Sequence, residues 1–303
     1  MTAIEQDIRS IPEILRQTHV RIEDWRDTVA LLLNGPIAFL GSGSSYCLAL
    51  AMAAFYEQEL HAAGQAIIPS DYLPRPDWTH IAISRTGETT ELVHALQRAH
   101  ESGAICILLT GQQGSPAEAH ADTTITLEFA AEEGVIQTRF IIAAAEALRV
   151  LIAGAAGHGF LTLDDLPERV EKALASFDPS PLLQFDHIVY LGRAWRYGLA
   201  CAAALNIQET TLLVPEAHQT LDYRHGPIAC ADEHTLVWCL DSLEDAASAA
   251  VIEDVRKTGA TVQWLEVDPL IALAQSQLFA LRKAEARGVD PSTPRNLTRA
   301  VIL

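Results

Sequence analysis

Ser84-Arg85-Thr86-Gly87-Glu88-Thr89 places three hydroxyls, a cation and a glycine within six residues. The apolar run Thr79-His80-Ile81-Ala82-Ile83 comes before it and reads as a buried strand. Glu91-Leu92-Val93-His94-Ala95-Leu96 comes after it with helical spacing. The hydroxyls therefore fall where a strand turns into a helix. The first N–H groups of a helix have no internal partner, and the helix dipole there favours an anion. Such a turn can cradle a phosphate, or it can be a plain Ser/Thr N-cap. A second turn upstream, Gly41-Ser42-Gly43-Ser44-Ser45, has the same character. A dinucleotide fingerprint would need a third small residue where Tyr46 stands, so this turn suits a single phosphate better than a nicotinamide cofactor. The candidate phosphate ligands are Ser44, Ser45, Ser84, Arg85, Thr86 and Thr89. Arg85 either adds a cationic contact or points to solvent.

Two more stretches could do chemistry. Leu205-Asn206-Ile207-Gln208-Glu209-Thr210-Thr211-Leu212 sets the carboxylate of Glu209 near the end of a largely apolar helix. Burial without a partner disfavours the charged form and raises a carboxyl pKa toward neutrality. Such a group is a good proton shuttle; the alternative is a Glu on the wet face of its helix. Residues 216–227 read as a polar loop between an apolar helix and an apolar strand, ending in His225-Gly226-Pro227. His-Gly-Pro is turn-forming and would hold an imidazole in a fixed direction. His218 and His225 lack metal-ligand spacing, and no metal is expected.

The elements that must position these residues alternate. Residues 3–33 have a helical apolar face, with Pro12 expected to break it into two short helices. Strands are expected near residues 37–40, 65–68, 79–83, 104–109 and 124–127, with helices at 46–60, from 91 to about 102, at 137–156 and at 164–177. Asp178-Pro179-Ser180-Pro181 reads as a linker, after which the pattern repeats. Setting Leu40-Gly41 on Leu191-Gly192 also pairs Tyr46 with Tyr197 and Ala49 with Ala200. Residues 235–240 then mirror the Ile81 strand, and residues 259–267 mirror 103–110. The fold class is α/β: two tandem flavodoxin-like units, each a mostly parallel sheet with helices on both faces. The expected division is N-terminal helices at 1–35, a phosphate-binding unit at 36–178, a second unit at 179–288 and a tail at 289–303 that wraps over the site. The second unit's turns, Gly192-Arg193-Ala194 and Leu240-Asp241-Ser242, lack paired hydroxyls, which leaves the first unit as the phosphate binder.

The 303 residues carry a net charge of −18, a poor match for nucleic acid or an anionic membrane surface. Five scattered cysteines form no CxxC pair, so neither a disulfide frame nor a zinc ribbon is indicated. No 18-residue apolar stretch and no leader pattern is present, and a reduced, cytoplasmic protein is expected.

Together these motifs resemble the two-domain sugar isomerase (SIS) family over nearly the whole chain. The family's first phosphate loop resembles Gly43-Ser44-Ser45-Tyr46, and its second, Ser-x-Ser/Thr-Gly-Glu-Thr, resembles Ser84 to Thr89. Its catalytic Glu falls on Glu209, sixteen residues before the His that falls on His225. The resemblance implies that Ser45, Ser84, Thr86 and Thr89 hold a sugar phosphate and that Glu209 moves a proton between C1 and C2. It implies that His225 helps to open the sugar ring from the neighbouring subunit of a homodimer. It implies no cofactor. The relatives that make glucosamine 6-phosphate carry an imine-forming lysine in the tail, where this chain has Arg299, and another lysine where it has Asn206. A guanidinium stays protonated and cannot form an imine, so Arg299 is a candidate for facing an oxyanion. No glutaminase segment is recognisable before residue 36. The implied reaction is isomerisation or deamination of a hexose or hexosamine 6-phosphate, with deglycation of a fructosamine 6-phosphate or sensing without catalysis as alternatives.

Overall fold

Ile37 and Phe39 point to one side of a sheet and Ala38 and Leu40 to the other, and each pair enters a different apolar core. A strand buried on both faces belongs to a parallel sheet covered by helices. The computed structural model describes residues 2–157, 165–265 and 267–303. In chain order the elements are α1 (Ala3–Leu32), β1 (Ile37–Leu40), α2 (Ser44–Leu60), β2 (Gly64–Ile67), β3 (Thr79–Ser84), α3 (Thr90–Glu101), β4 (Ile105–Thr110), β5 (Thr123–Thr126) and α4 (Arg139–Ala155). They continue with α5 (Leu166–Ser176), β6 (His187–Gly192), α6 (Trp195–Thr211), β7 (Glu216–Gln219), β8 (Thr235–Cys239), α7 (Ala246–Lys257), β9 (Thr261–Trp264) and α8 (Pro269–Arg287). Residue 164, the expected start of the fifth helix, and residue 266, inside the last expected strand, lie outside the described residues.

Among the described residues the strands form two sheets, ordered β2-β1-β3-β4-β5 and β7-β6-β8-β9, and every pairing is parallel. The second order repeats the first without its last strand. One continuous core lies between the sheets, holding Phe39, Ile81 and Leu109 from the first and Ile188, Tyr190 and Trp238 from the second. Helices α3 and α7 cover the outer faces, packing Leu96 on one sheet and Val251 on the other. At the centre α2 and α6 touch. A Cβ on Gly198 would overlap the backbone of Ala51 and Cys47, so this glycine is what lets the two helices come so close. No described helix is long and apolar enough to cross a membrane.

Two expectations are corrected. Pro12 does not break the first helix; α1 runs through it as one 30-residue helix. A proline inside a helix costs about 3 kcal/mol. That is outweighed by one buried stripe, Ile4, Ile8, Ile11, Leu15, Ile22 and Val29, at about 1.5–3 kcal/mol per side chain. Residues 216–227 are not all loop. Glu216–Gln219 is an edge strand, β7, parallel to β6, and short 3-10 turns follow at Asp222–His225 and Pro227–Cys230. The strand was hidden because it is held by backbone pairing while its side chains are polar and only partly covered.

Candidate functional site

Both serine-rich turns sit at the carboxyl ends of strands, on one edge of the first sheet. After β1 the chain turns so tightly that a Cβ on Gly41 would overlap the Ser45 carbonyl group. Gly43 then takes φ 57°, ψ −128°, a region that strongly favours glycine, and α2 starts at Ser44 with no side-chain cap. After β3, Ser84 Oγ accepts from the Gly87 N–H at 3.0 Å and Thr86 Oγ1 from the Glu88 N–H at 3.3 Å. Each hydroxyl thus shapes its own turn with its oxygen and keeps its hydrogen to donate. Helix α3 starts behind Thr89, again with no side-chain cap.

These turns line a cavity of about 240 Å³. Ser44 and Ser45 lie on its wall with Ser84, Arg85, Thr86 and Thr89. Glu209 from α6 and Arg299 from the tail lie on it as well. Two hydroxyl-bearing helix N-termini and a carboxyl group therefore share one space. Burial raises the Glu209 carboxyl to about 7, with the nearby Arg85 charge pulling the other way. A group that titrates there can both take and return a proton near neutral pH.

Arg85 does not point to solvent. Its side chain is 3% exposed. Nη1 donates to Gly134 O at 2.7 Å and pairs with Glu132 Oε2 at 3.3 Å. Nη2 donates to Val135 O at 3.0 Å and to Arg299 O at 3.3 Å. Its donors thus tie three walls together: the β3 turn, the loop at 132–137 and the tail. The tail is also pinned to α3, where the Thr90 N–H donates to Val301 O at 3.1 Å and the Leu303 N–H to Thr90 Oγ1 at 3.0 Å. Its residues Leu297, Thr298, Arg299, Ala300 and Val301 line the cavity.

Glu132 was not singled out from the sequence. It is 1% exposed, and Oε1 caps α4 by accepting from the N–H groups of Thr138 at 2.7 Å and Arg139 at 2.6 Å and from Thr138 Oγ1 at 2.6 Å. A carboxylate at a helix N-terminus is favoured by the dipole, but a cap six residues upstream of the N-cap residue Thr138 matches no local capping motif.

His225 lies elsewhere in the chain. It lines a shallow cavity with Arg193, Ala194, Gln219, Leu221 and Asp222 at the carboxyl edge of the second sheet. That edge carries its own buried anion. Asp241 accepts from Arg193 N–H at 2.7 Å, Thr220 Oγ1 at 2.6 Å and Ser248 Oγ at 2.7 Å. The turn after β8 is thereby filled by a carboxylate, whereas the turn after β3 faces its cavity with hydroxyls.

The SIS domain family matches residues 34–154. The chain carries an SIS domain. The match takes in both serine-rich turns and the whole first sheet. The glutamine–fructose-6-phosphate aminotransferase [isomerizing] of Aeropyrum pernix is 26% identical to the chain, over 88% of the chain and 51% of the relative. The enzyme of that name from Thermotoga maritima gives the same figures. The chain thus spans about half the length of the curated relatives it matches. Among solved structures, a glucosamine-6-phosphate deaminase from Thermotoga maritima covers 100% of both chains with a TM-score of 0.87 and 24% identity. The tagatose-6-phosphate ketose/aldose isomerase of Escherichia coli covers 98% of this chain and 97% of its own, with a TM-score of 0.80 and 19% identity. At such identities these structures show the fold alone, and they show it beyond the SIS match, over both sheets.

Proposed function

We propose that the cavity binds a hexose or hexosamine 6-phosphate and that Glu209 moves a proton between C1 and C2. The product is a ketose, by isomerisation, or a ketose with released ammonia, by deamination. In this reading residues 36–178 and 179–288 are tandem SIS domains with flavodoxin-like sheets. Ser44, Ser45, Ser84, Thr86 and Thr89 hold the phosphate at the two helix N-termini. The Glu209 carboxylate takes the proton from one carbon, an enediol or enolamine forms, and the carboxyl returns the proton to the neighbouring carbon; in deamination this leaves a C2 imine, to which water adds, giving the ketone oxygen as the C–N bond breaks and ammonia leaves. Arg299, on the cavity wall, faces the oxyanion as a fixed cation. His225 serves the cavity of a second copy in a homodimer, in keeping with its place on a different cavity from Glu209 in its own chain.

The observation that carries this reading is the shared wall: anion-binding turns and a carboxyl held near neutrality line one cavity. The test is incubation with amino and neutral sugar 6-phosphates while ammonia and ketose are followed. Turnover supports the enzyme. Binding without turnover on every sugar would instead favour a sensor, and cleavage confined to a fructosamine 6-phosphate a deglycase.

A further inference from the structure

At the amino edge of the first sheet, opposite the cavity, three metal-ligating side chains meet. Cys106 is the second residue of β4, Asp122 stands just before β5 and His100 lies in the last turn of α3. One ligand atom of each, an imidazole nitrogen, the Cys106 sulfur and a carboxylate oxygen, lies within 4.8 Å of the other two. His100 Nδ1 and Asp122 Oδ1 are 3.8 Å apart. A tetrahedral zinc ion, with bonds of about 2.0–2.3 Å, holds such atoms about 3.3–3.6 Å from one another, so small side-chain rotations close the gap. Two of the three are tied to each other: the Cys106 N–H donates to Asp122 Oδ2 at 2.8 Å, and the Asp122 N–H donates to the Cys106 carbonyl at 2.8 Å. The sulfur is buried, whereas His100 and Asp122 are about half exposed. An ion from solvent would therefore meet the imidazole and the carboxylate first, with the sulfur as its inner ligand. The carbonyl end of α3 brings the negative pole of its dipole here, and the net charge of −18 attracts cations. Cys106 is a free thiol. Burial raises it to about 12, with the Asp122 charge adding to the rise, so it keeps its proton until a metal replaces it.

We infer that His100, Cys106 and Asp122 form a binding site for a divalent ion of the zinc class, with water in the fourth position. Cys106 gives its proton to solvent as the metal–sulfur bond forms, and no electron is transferred. A thiolate with an imidazole selects against magnesium and calcium, which take oxygen ligands. The ion ties the end of α3 to the starts of β4 and β5. The site shares no residue with the cavity and does not depend on the sugar-phosphate reading.

The experiment is titration of the reduced, metal-free full chain with Co²⁺, followed by competition with Zn²⁺, in wild type, Cys106→Ser, His100→Ala and Asp122→Asn. The readout is the thiolate-to-cobalt charge-transfer band in the near ultraviolet. Wild type should bind a single ion per chain, with a band that Zn²⁺ abolishes. Cys106→Ser should lose the band. His100→Ala and Asp122→Asn change half-exposed positions and should weaken binding about tenfold or more. Zn²⁺ at about 100 times its Kd should raise the Tm of wild type and raise that of His100→Ala much less. No band up to about 1 mM Co²⁺ overturns the inference. A band kept in Cys106→Ser overturns it too, because the thiolate then belongs to another cysteine. Should Cys106→Ser fail to fold, wild-type affinity in both His100→Ala and Asp122→Asn overturns it instead.

Discussion

Ala194 repeats the backbone of Gly43. The two residues precede α6 and α2, both 17 residues long, and take φ 46°, ψ −124° and φ 57°, ψ −128°. They are also 151 residues apart, the offset that sets Gly192 on Gly41. Both of those glycines face a backbone carbonyl that a Cβ would overlap. At the far ends His61 and Leu212, 151 apart again, close their helices in the left-handed region. The halves therefore share a frame to the level of single backbone torsions, and the second keeps it at a position where its residue is not a glycine.

A non-glycine residue in that region is strained by about 1–3 kcal/mol. Glycine would relieve the strain and give back about 0.5–1 kcal/mol in chain entropy. Ala194→Gly is therefore expected to stabilise the protein by about 0.5–2 kcal/mol in urea unfolding. A destabilised variant would show that the Ala194 backbone is relaxed as it stands.

Removing Ser45 or Thr86 tests the phosphate cradle. Each hydroxyl can give a hydrogen bond to a charged group, worth about 1.5–3 kcal/mol, so Ser45→Ala and Thr86→Ala should weaken sugar-phosphate binding about ten- to a hundredfold. Ser84→Ala and Thr86→Ala also deprive the Gly87 and Glu88 N–H groups of their acceptors, so melting temperature should fall along with affinity in both. Wild-type affinity in both Ser45→Ala and Thr86→Ala would refute the assignment.

Arg85 is expected to act on the tail as much as on the ligand. Arg85→Ala leaves the buried Glu132 without its cation, a loss of about 3–5 kcal/mol when one partner of a buried pair goes. It also frees the carbonyl of Arg299. Tryptic cleavage after Arg295 and Arg299, timed by mass spectrometry under native conditions, should accelerate in this variant and in Arg85→Lys, where a point charge replaces the fork. Unchanged cleavage in both would mean that the Thr90 contacts hold the tail by themselves.

The sequence made much of this arrangement legible, and for identifiable reasons. Strands buried on both faces, such as Ile81-Ala82-Ile83, write themselves as apolar runs. The turns after β1 and β3 carry glycines and hydroxyls that the backbone requires or leaves uncapped. What stayed hidden is held by contacts with no local signature. Glu132 finds its partners Arg85 and Arg139 only once the chain has folded. β7 is defined by its ladder to β6 and not by its own side chains. Pro12 misled because a local penalty was weighed without the stripe that α1 buries.

Glu209 gives the prediction with two independent readouts. Its carboxyl is held near 7 by burial, above the 4.5 of an unperturbed glutamate. Between those values the folded protein keeps a proton that the unfolded chain has released. Stability should therefore fall as pH rises from about 4.5 to 7, by up to about 1.4 kcal/mol per pH unit from this group. Glu209→Gln removes the charge that burial penalises and keeps the shape. The variant should gain stability relative to wild type as pH rises, and the gap should be wider at pH 8 than at pH 4; a gap independent of pH would mean the carboxyl is not shielded. In turnover the same substitution removes the proton acceptor. It should lower kcat by about 10²–10⁴-fold and leave the sugar-phosphate Kd nearly unchanged. A variant that shows the stability effect but turns over normally would keep Glu209 as a buried acid and take the proton transfer away from it.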